Sequence, residues 1–182
     1  MDRIILFVVL SLPVIAISWR TLFDPKSHGF YRFFSWEFII WLFVVNYKLW
    51  FDNPFSITQI ISWVFLLFSG YLVIAGVILM KKKGKPRKDR DEKMLYHFEK
   101  TSELVDIGIF KFIRHPLYSS LLFLTWGIYF KDASGFLLIV AFLSTTSLFL
   151  TAKAEEKECI KHFGAKYIEY MKRSKMFIPF IL

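Results

Sequence analysis

Cysteine is nearly absent from this sequence: Cys159 is the single one in 182 residues. One thiol excludes an intramolecular disulfide and any CxxC metal site, and Cys159 reads as an ordinary reduced thiol. Acidic residues are also scarce, 15 against 24 lysines and arginines, for a net charge of +9. No internal repeat or low-complexity tract is present, which argues against a transporter assembled from inverted halves. No basic helix or stacking platform stands apart from the apolar segments, so the positive charge does not point to nucleic acid.

Apolar residues dominate instead. They make up 55% of the chain, with 20% aromatic, against about 45–50% apolar in a typical soluble domain. They fall in runs at residues 4–19, 38–51, 57–80, 117–130 and 135–150. The run at 57–80 carries no formal charge and would make about 36 Å of helix, enough for a hydrocarbon core of roughly 30 Å. The first run competes with a secretory signal. Asp2 and Arg3 make a weak charged leader and no small-residue cleavage site follows, so it reads as a retained helix. Trp36, Trp41 and Trp50 lie along or beside the second run, like interfacial anchors.

Charge sorts the connections. Lys81, Lys82, Lys83, Lys85, Arg87, Lys88 and Arg90 follow the third run directly, and the positive-inside rule marks that stretch as cytoplasmic. A headgroup contact is the competing reading of the same lysines. Residues 91–113 read as an amphipathic or irregular segment on that face. Arg20, Lys26 and Arg32 precede the second run, the connection at 52–56 has no basic residue, and the tail from Lys153 onward is basic again. These features predict an all-α polytopic membrane bundle of about five transmembrane helices, with the C-terminus on the cytoplasmic side. It forms one unit over 1–182: three helices in 1–80, a cytoplasmic basic loop in 81–116, and a helical hairpin with its tail in 117–182.

Chemistry concentrates at that last hairpin. Its two runs are joined only by Lys131, Asp132, Ala133 and Ser134, a link so short that the helices must be antiparallel. His115 before the first arm and Glu155 after the second therefore return to the same membrane edge. Pro116 suits the first turn of a helix, whose free N–H groups can receive an anion. Arg114, His115, Tyr118, Glu155 and Glu156 together offer a guanidinium, an imidazole, a phenol and two carboxylates. That set suits a zwitterion bearing a carboxylate, an ammonium and hydroxyls. Each residue also has a plain reading: Arg114 as a snorkelling side chain, His115 as an interfacial polar residue, the glutamates as a solvated helix end.

The stretch Leu104-Val105-Asp106-Ile107-Gly108-Ile109-Phe110-Lys111-Phe112-Ile113-Arg114-His115-Pro116-Leu117-Tyr118 resembles the LVxxG–Y–RHPxY signature of isoprenylcysteine carboxyl methyltransferases, much of which phospholipid methyltransferases share. A second signature, an acidic pair followed by FGxxYxxY, is matched by Glu155, Glu156, Phe163, Gly164, Tyr167 and Tyr170. Met176-Phe177-Ile178-Pro179 resembles the family's RFIP close. The likeness covers roughly residues 102–180, and the first three helices share only general character with the family. It implies an integral membrane methyltransferase that uses S-adenosylmethionine and acts on a lipidic or membrane-partitioned acceptor. Carried over by position, the cofactor contacts are Ser102, Glu103, Leu104, Val105, Phe110, His115, Pro116, Leu117, Tyr118 and Glu155. Two positions depart from the pattern. Phe110 replaces the usual tyrosine, and Thr151 stands where prenylcysteine enzymes carry a substrate-binding arginine, which argues against a prenylcysteine carboxylate as acceptor. For an amine acceptor, Glu156 and Tyr118 are the candidate bases. The competing readings are an NADPH-dependent membrane reductase of the sterol type and a non-catalytic membrane protein.

Overall fold

A computed structural model describes residues 2–84 and 102–181. Part of the basic stretch, residues 85–90, and residues 91–101 of the segment that follows lie outside the described residues. The described chain is helical, with no strand beyond one isolated bridge between Ile113 and Lys175. In chain order the helices are α1 (Asp2–Ser18), α2 (His28–Asn46), α3 (Ile57–Lys83), α4 (Pro116–Tyr129), α5 (Gly135–Phe163) and α6 (Ala165–Arg173).

Local chemistry fixes most of the ends. The Ser27 and Ser56 hydroxyls accept from the N–H groups of Phe30 and Gln59, capping α2 and α3. Three lysines close α3, where the helix dipole favours cations. α5 ends at Gly164, whose φ of 61° and ψ of −137° suit glycine alone, and α6 begins immediately after it.

α3 is built inside out. Its buried residues are Gln59, Ser62, Ser69, Leu72 and Gly76, whereas Val64, Leu67 and Ile74 are 57%, 72% and 62% exposed. In water so large an apolar face would demand a partner; in a bilayer it meets its own kind, and small residues face inward instead. Ser62 Oγ donates to Gly127 O at 2.6 Å, and Ser69 Oγ donates to Ser120 O at 2.7 Å. A Cβ on Gly127 would lie 2.9 Å from the Leu66 side chain and 3.3 Å from its backbone N, so this glycine sets the approach of α4 to α3.

α3 and α5 are long and apolar enough to cross a membrane. The other three expected crossings do not meet that measure. α1 and α4 have 17 and 14 residues, short of the about 20 that an untilted span needs, and α2 carries Arg32 and Glu37. α2 also begins well before the apolar run at 38–51, and α5 continues well past the run at 135–150. The hairpin link at 131–134 is as expected, and Lys131 fastens it. Its Nζ donates to Trp50 O at 3.1 Å and Gln59 Oε1 at 2.9 Å, and lies 3.7 Å from the Trp63 ring centroid. At this end Ile39, Leu42, Ile128, Leu137, Val140 and Ala141 form a core, and Asn46 Nδ2 ties α2 to Ile128 O at 2.8 Å.

Candidate functional site

The opposite end of the bundle gathers the titratable residues. The loop leading to α4 is shaped by Gly108, whose φ is 59° and whose Cβ position would lie 2.7 Å from Leu79 of α3; a side chain there would be both strained and obstructed. After a 3-10 turn over Gly108–Lys111, the chain lies beside its own tail. Lys175 N donates to Phe112 O at 2.9 Å, Arg114 N to Lys175 O at 2.8 Å, and His115 N to Met176 O at 3.2 Å. Ser119 Oγ donates to Phe177 O at 2.8 Å. Met176 and Phe177 pack with Tyr118, Leu148 and Ala152, so the tail clamps the start of α4. Tyr170 adds a second brace, its hydroxyl donating to Phe110 O at 2.6 Å.

Pro116 is the first residue of α4, and His115, just before it, makes no side-chain cap. The buried His115 ring is instead stacked on Tyr118, centroids 5.5 Å apart. Its Nδ1 is 3.4 Å from Glu155 Oε2. Its Nε2 is 3.7 Å from Glu156 Oε1, beyond hydrogen-bond reach, and has no hydrogen-bond partner. Burial on its own lowers the pKa of this imidazole; the two carboxylates outweigh it and raise the pKa above its ordinary value.

Arg114 is occupied elsewhere. Its Nε and a terminal nitrogen meet Glu156 Oε1 at 2.9 and 2.8 Å, and its remaining nitrogen donates to the carbonyls of Met171 and Ser174. Glu156 receives Lys153 on its other oxygen at 3.3 Å. This buried fork ties α5 to the tail, a structural role rather than a snorkelling one. The adjacent glutamates thus divide: Glu156 faces Arg114, and Glu155 faces His115 and Tyr118.

A small cavity of about 40 Å³ opens here, lined by Met80, Phe110, Arg114, His115, Pro116, Leu117, Tyr118 and Glu155. Of the cofactor contacts expected from the sequence, Phe110, His115, Pro116, Leu117, Tyr118 and Glu155 border it. Ser102, Glu103, Leu104 and Val105 do not. That segment starts against the end of α3, where Ser102 N and Glu103 N donate to Gly84 O, and Val105 is buried. Thr151 is fully buried and bonded back to Ser147 O, so it presents no charge in place of the missing arginine. Two residues that the sequence did not single out belong to this end. Met80 closes the cavity from α3, and His28 of α2 meets Glu158 of α5 at 2.6 Å. The His28–Glu158 pair spans 130 positions and has no local pattern that would announce it.

The family described as phospholipid methyltransferase matches residues 57–166, more than half of the chain. Among curated proteins, methanethiol S-methyltransferase 1 of Bradyrhizobium diazoefficiens is 35% identical over 71 residues, 39% of this chain and 24% of that protein. The methanethiol S-methyltransferase of Pseudomonas deceptionensis is 31% identical over 71 residues, 39% of this chain and 26% of that protein. The match thus spans about a quarter of these relatives' length. No solved structure matches the chain significantly.

Proposed function

This chain belongs to the phospholipid methyltransferase family, and from that premise we propose that it is an integral membrane, S-adenosylmethionine-dependent methyltransferase acting on an apolar, membrane-partitioned acceptor. The observation that carries this reading is the pairing of His115 with Glu155 across the start of α4 and α5, beside Phe110. The unpartnered Nε2 of His115 suits a carboxylate; Glu155 suits an ammonium or hydroxyls; the Phe110 ring suits a flat heterocycle. The donor set therefore fits the cofactor. The volume does not yet: about 40 Å³ is far below the roughly 300–1,000 Å³ of an enclosing ligand pocket, so the lining side chains must move apart on binding.

When bound, S-adenosylmethionine supplies a methyl group already activated for in-line displacement. The work left to the protein is to hold the acceptor in line and exclude water, and proximity of this kind is worth up to about 7–11 kcal/mol. His115 and Glu155 would fix the polar end of the cofactor. Met80 and Leu117 wall the cavity on the α3–α4 seam, a route for an acceptor arriving sideways from the bilayer. A small thiol and a lipid amine are both candidate acceptors, and the relatives' names favour the thiol.

Titration of detergent-purified protein with S-adenosylmethionine, S-adenosylhomocysteine and NADPH tests the class. Binding of the first two is expected, and NADPH binding without them would move the chain to a reductase. His115→Ala and Glu155→Ala should each abolish cofactor binding in folded protein. Labelled methyl transfer to methanethiol and to a membrane lipid extract then sorts the acceptor.

A further inference from the structure

Methyl transfer leaves a proton to be removed whenever the nucleophile arrives as a thiol or an ammonium. The residues at the cavity are poorly placed to take it. Both oxygens of Glu156 are engaged, by Arg114 and Lys153, and Glu155 lies against His115 and Tyr118. Among the described residues, two buried imidazole nitrogens lack a hydrogen-bond partner: Nε2 of His115 and Nε2 of His28. The first borders the cavity proposed for the cofactor. The second belongs to a side chain with no exposed surface, at the first residue of α2 and outside every signature segment.

His28 is held from behind by a carboxylate. Glu158 accepts from the His28 backbone N–H at 3.2 Å and meets its Nδ1 at 2.6 Å. A carboxylate on Nδ1 keeps the ring proton there, leaves the lone pair on Nε2 and makes the ring more basic. Glu158 follows Glu155 by three residues on α5, so their side chains share a face with Cβ atoms about 5–6 Å apart. Glu155 thereby lies within electrostatic reach of both His115 and His28. The charged groups that face His28 are Glu158 and Glu155 from α5 and Arg32, one turn along its own helix. An imidazole buried only for packing normally has both nitrogens satisfied. A free ring nitrogen backed by a carboxylate is the arrangement of a proton acceptor.

We propose that His28, oriented by Glu158, accepts the proton of the acceptor's nucleophilic atom during methyl transfer. The proposal rests on the methyltransferase reading above. As the bond from the nucleophile to the methyl carbon forms, the sulfonium sulfur–methyl bond breaks and its electron pair stays on sulfur. His28 has no exposed surface and does not border the cavity of about 40 Å³. The proton therefore passes from the nucleophile to its Nε2 only after the lining side chains part on binding, and goes on to water when the site reopens.

The experiment uses the full chain in detergent, with methanethiol and, separately, phosphatidylethanolamine vesicles as acceptors. His28→Gln keeps a polar side chain without a base. It should lower kcat by about 10²–10⁴-fold and leave S-adenosylhomocysteine affinity unchanged. With no methyl donor present, methanethiol added to the unmodified protein should give the ultraviolet difference absorbance of a thiolate, and His28→Gln should lose it. Glu158→Gln should retain more activity, with the rising limb of its pH–rate profile moved to lower pH because the imidazole is less basic. Full kcat in His28→Gln, or a surviving thiolate signal, overturns the proposal and leaves the methyltransferase reading standing. Loss of S-adenosylhomocysteine binding in His28→Gln also overturns it, by making His28 a structural residue. If the unmodified protein neither binds S-adenosylhomocysteine nor transfers a methyl group, both readings fall together.

Discussion

Arg114 and His115 are neighbours in sequence, yet they use the acidic pair differently: Arg114 is bonded to Glu156, while His115 lies between Glu155 and Glu156. The Arg114–Glu156 pair is shielded, with side-chain exposures of 9% and 4%, so removing one partner strands a buried charge. Arg114→Ala is expected to destabilise the protein by about 3–5 kcal/mol, and Arg114→Lys by nearly as much, because an ammonium cannot reach Glu156 and the two tail carbonyls together. Denaturant unfolding in detergent checks both; a change under about 0.5 kcal/mol, the range of ordinary surface substitutions, would refute the tie. His115 predicts a pH dependence instead. Its pKa is raised in the folded protein, so its charged form contributes stability fully below the unfolded value of about 6.5. That contribution disappears as pH rises through the higher folded value. The thermal-stability advantage of the natural protein over His115→Gln should therefore be largest at mildly acid pH and shrink on going alkaline. An advantage that grew with pH would show that the carboxylates do not hold the imidazolium.

At the scale of elements, the α3–α4 seam depends on what is missing from Gly127. Gly127→Leu would drive a side chain into Leu66 and its backbone, and overpacking of this kind typically costs about 1–3 kcal/mol. Gly70 of α3 has nothing within 4 Å of its Cβ position, so Gly70→Ala should be neutral or slightly stabilising. Thermal unfolding of the two variants side by side separates a packing effect from a helix-propensity effect. The same contrast explains what was legible in the sequence. The hairpin was readable because two apolar runs flank a short polar link, and RHPxY with its downstream glutamate was readable through resemblance. The start of α2 was not. His28, Arg32 and Ser35 interrupt its apolar pattern, and all three are buried, with His28 held by Glu158 of α5 across 130 positions. The separate tasks of Glu155 and Glu156 were equally hidden. Adjacent helix residues point about 100° apart, and only the packing of the tail decides which one meets Arg114.

The whole molecule has two chemically distinct ends. At one, the α1–α2 connection reaches Glu158 through His28, while the loop before α4 pairs with the tail. At the other, Lys131 joins the α4–α5 turn to Trp50 and Gln59. Basic residues at 81–83 and along 153–175 gather at the first end, and the positive-inside rule predicts that this end faces the cytoplasm. In a Cys159→Ser background, Lys26→Cys and Lys175→Cys should react with a membrane-impermeant maleimide only after the cells are permeabilised. Asn53→Cys and Ala133→Cys should react on intact cells. Four reversed results would invert the orientation and leave the fold intact, whereas opposite sidedness for Lys26 and Lys175 would contradict the shared end on which the site depends. The outcome bears on chemistry as well as topology. On the proposed function, a water-soluble cofactor would reach His115 and Glu155 from the aqueous side where it is made, while an apolar acceptor would travel within the bilayer. On that same reading, cytoplasmic exposure of the first end would let both reactants arrive at one cavity.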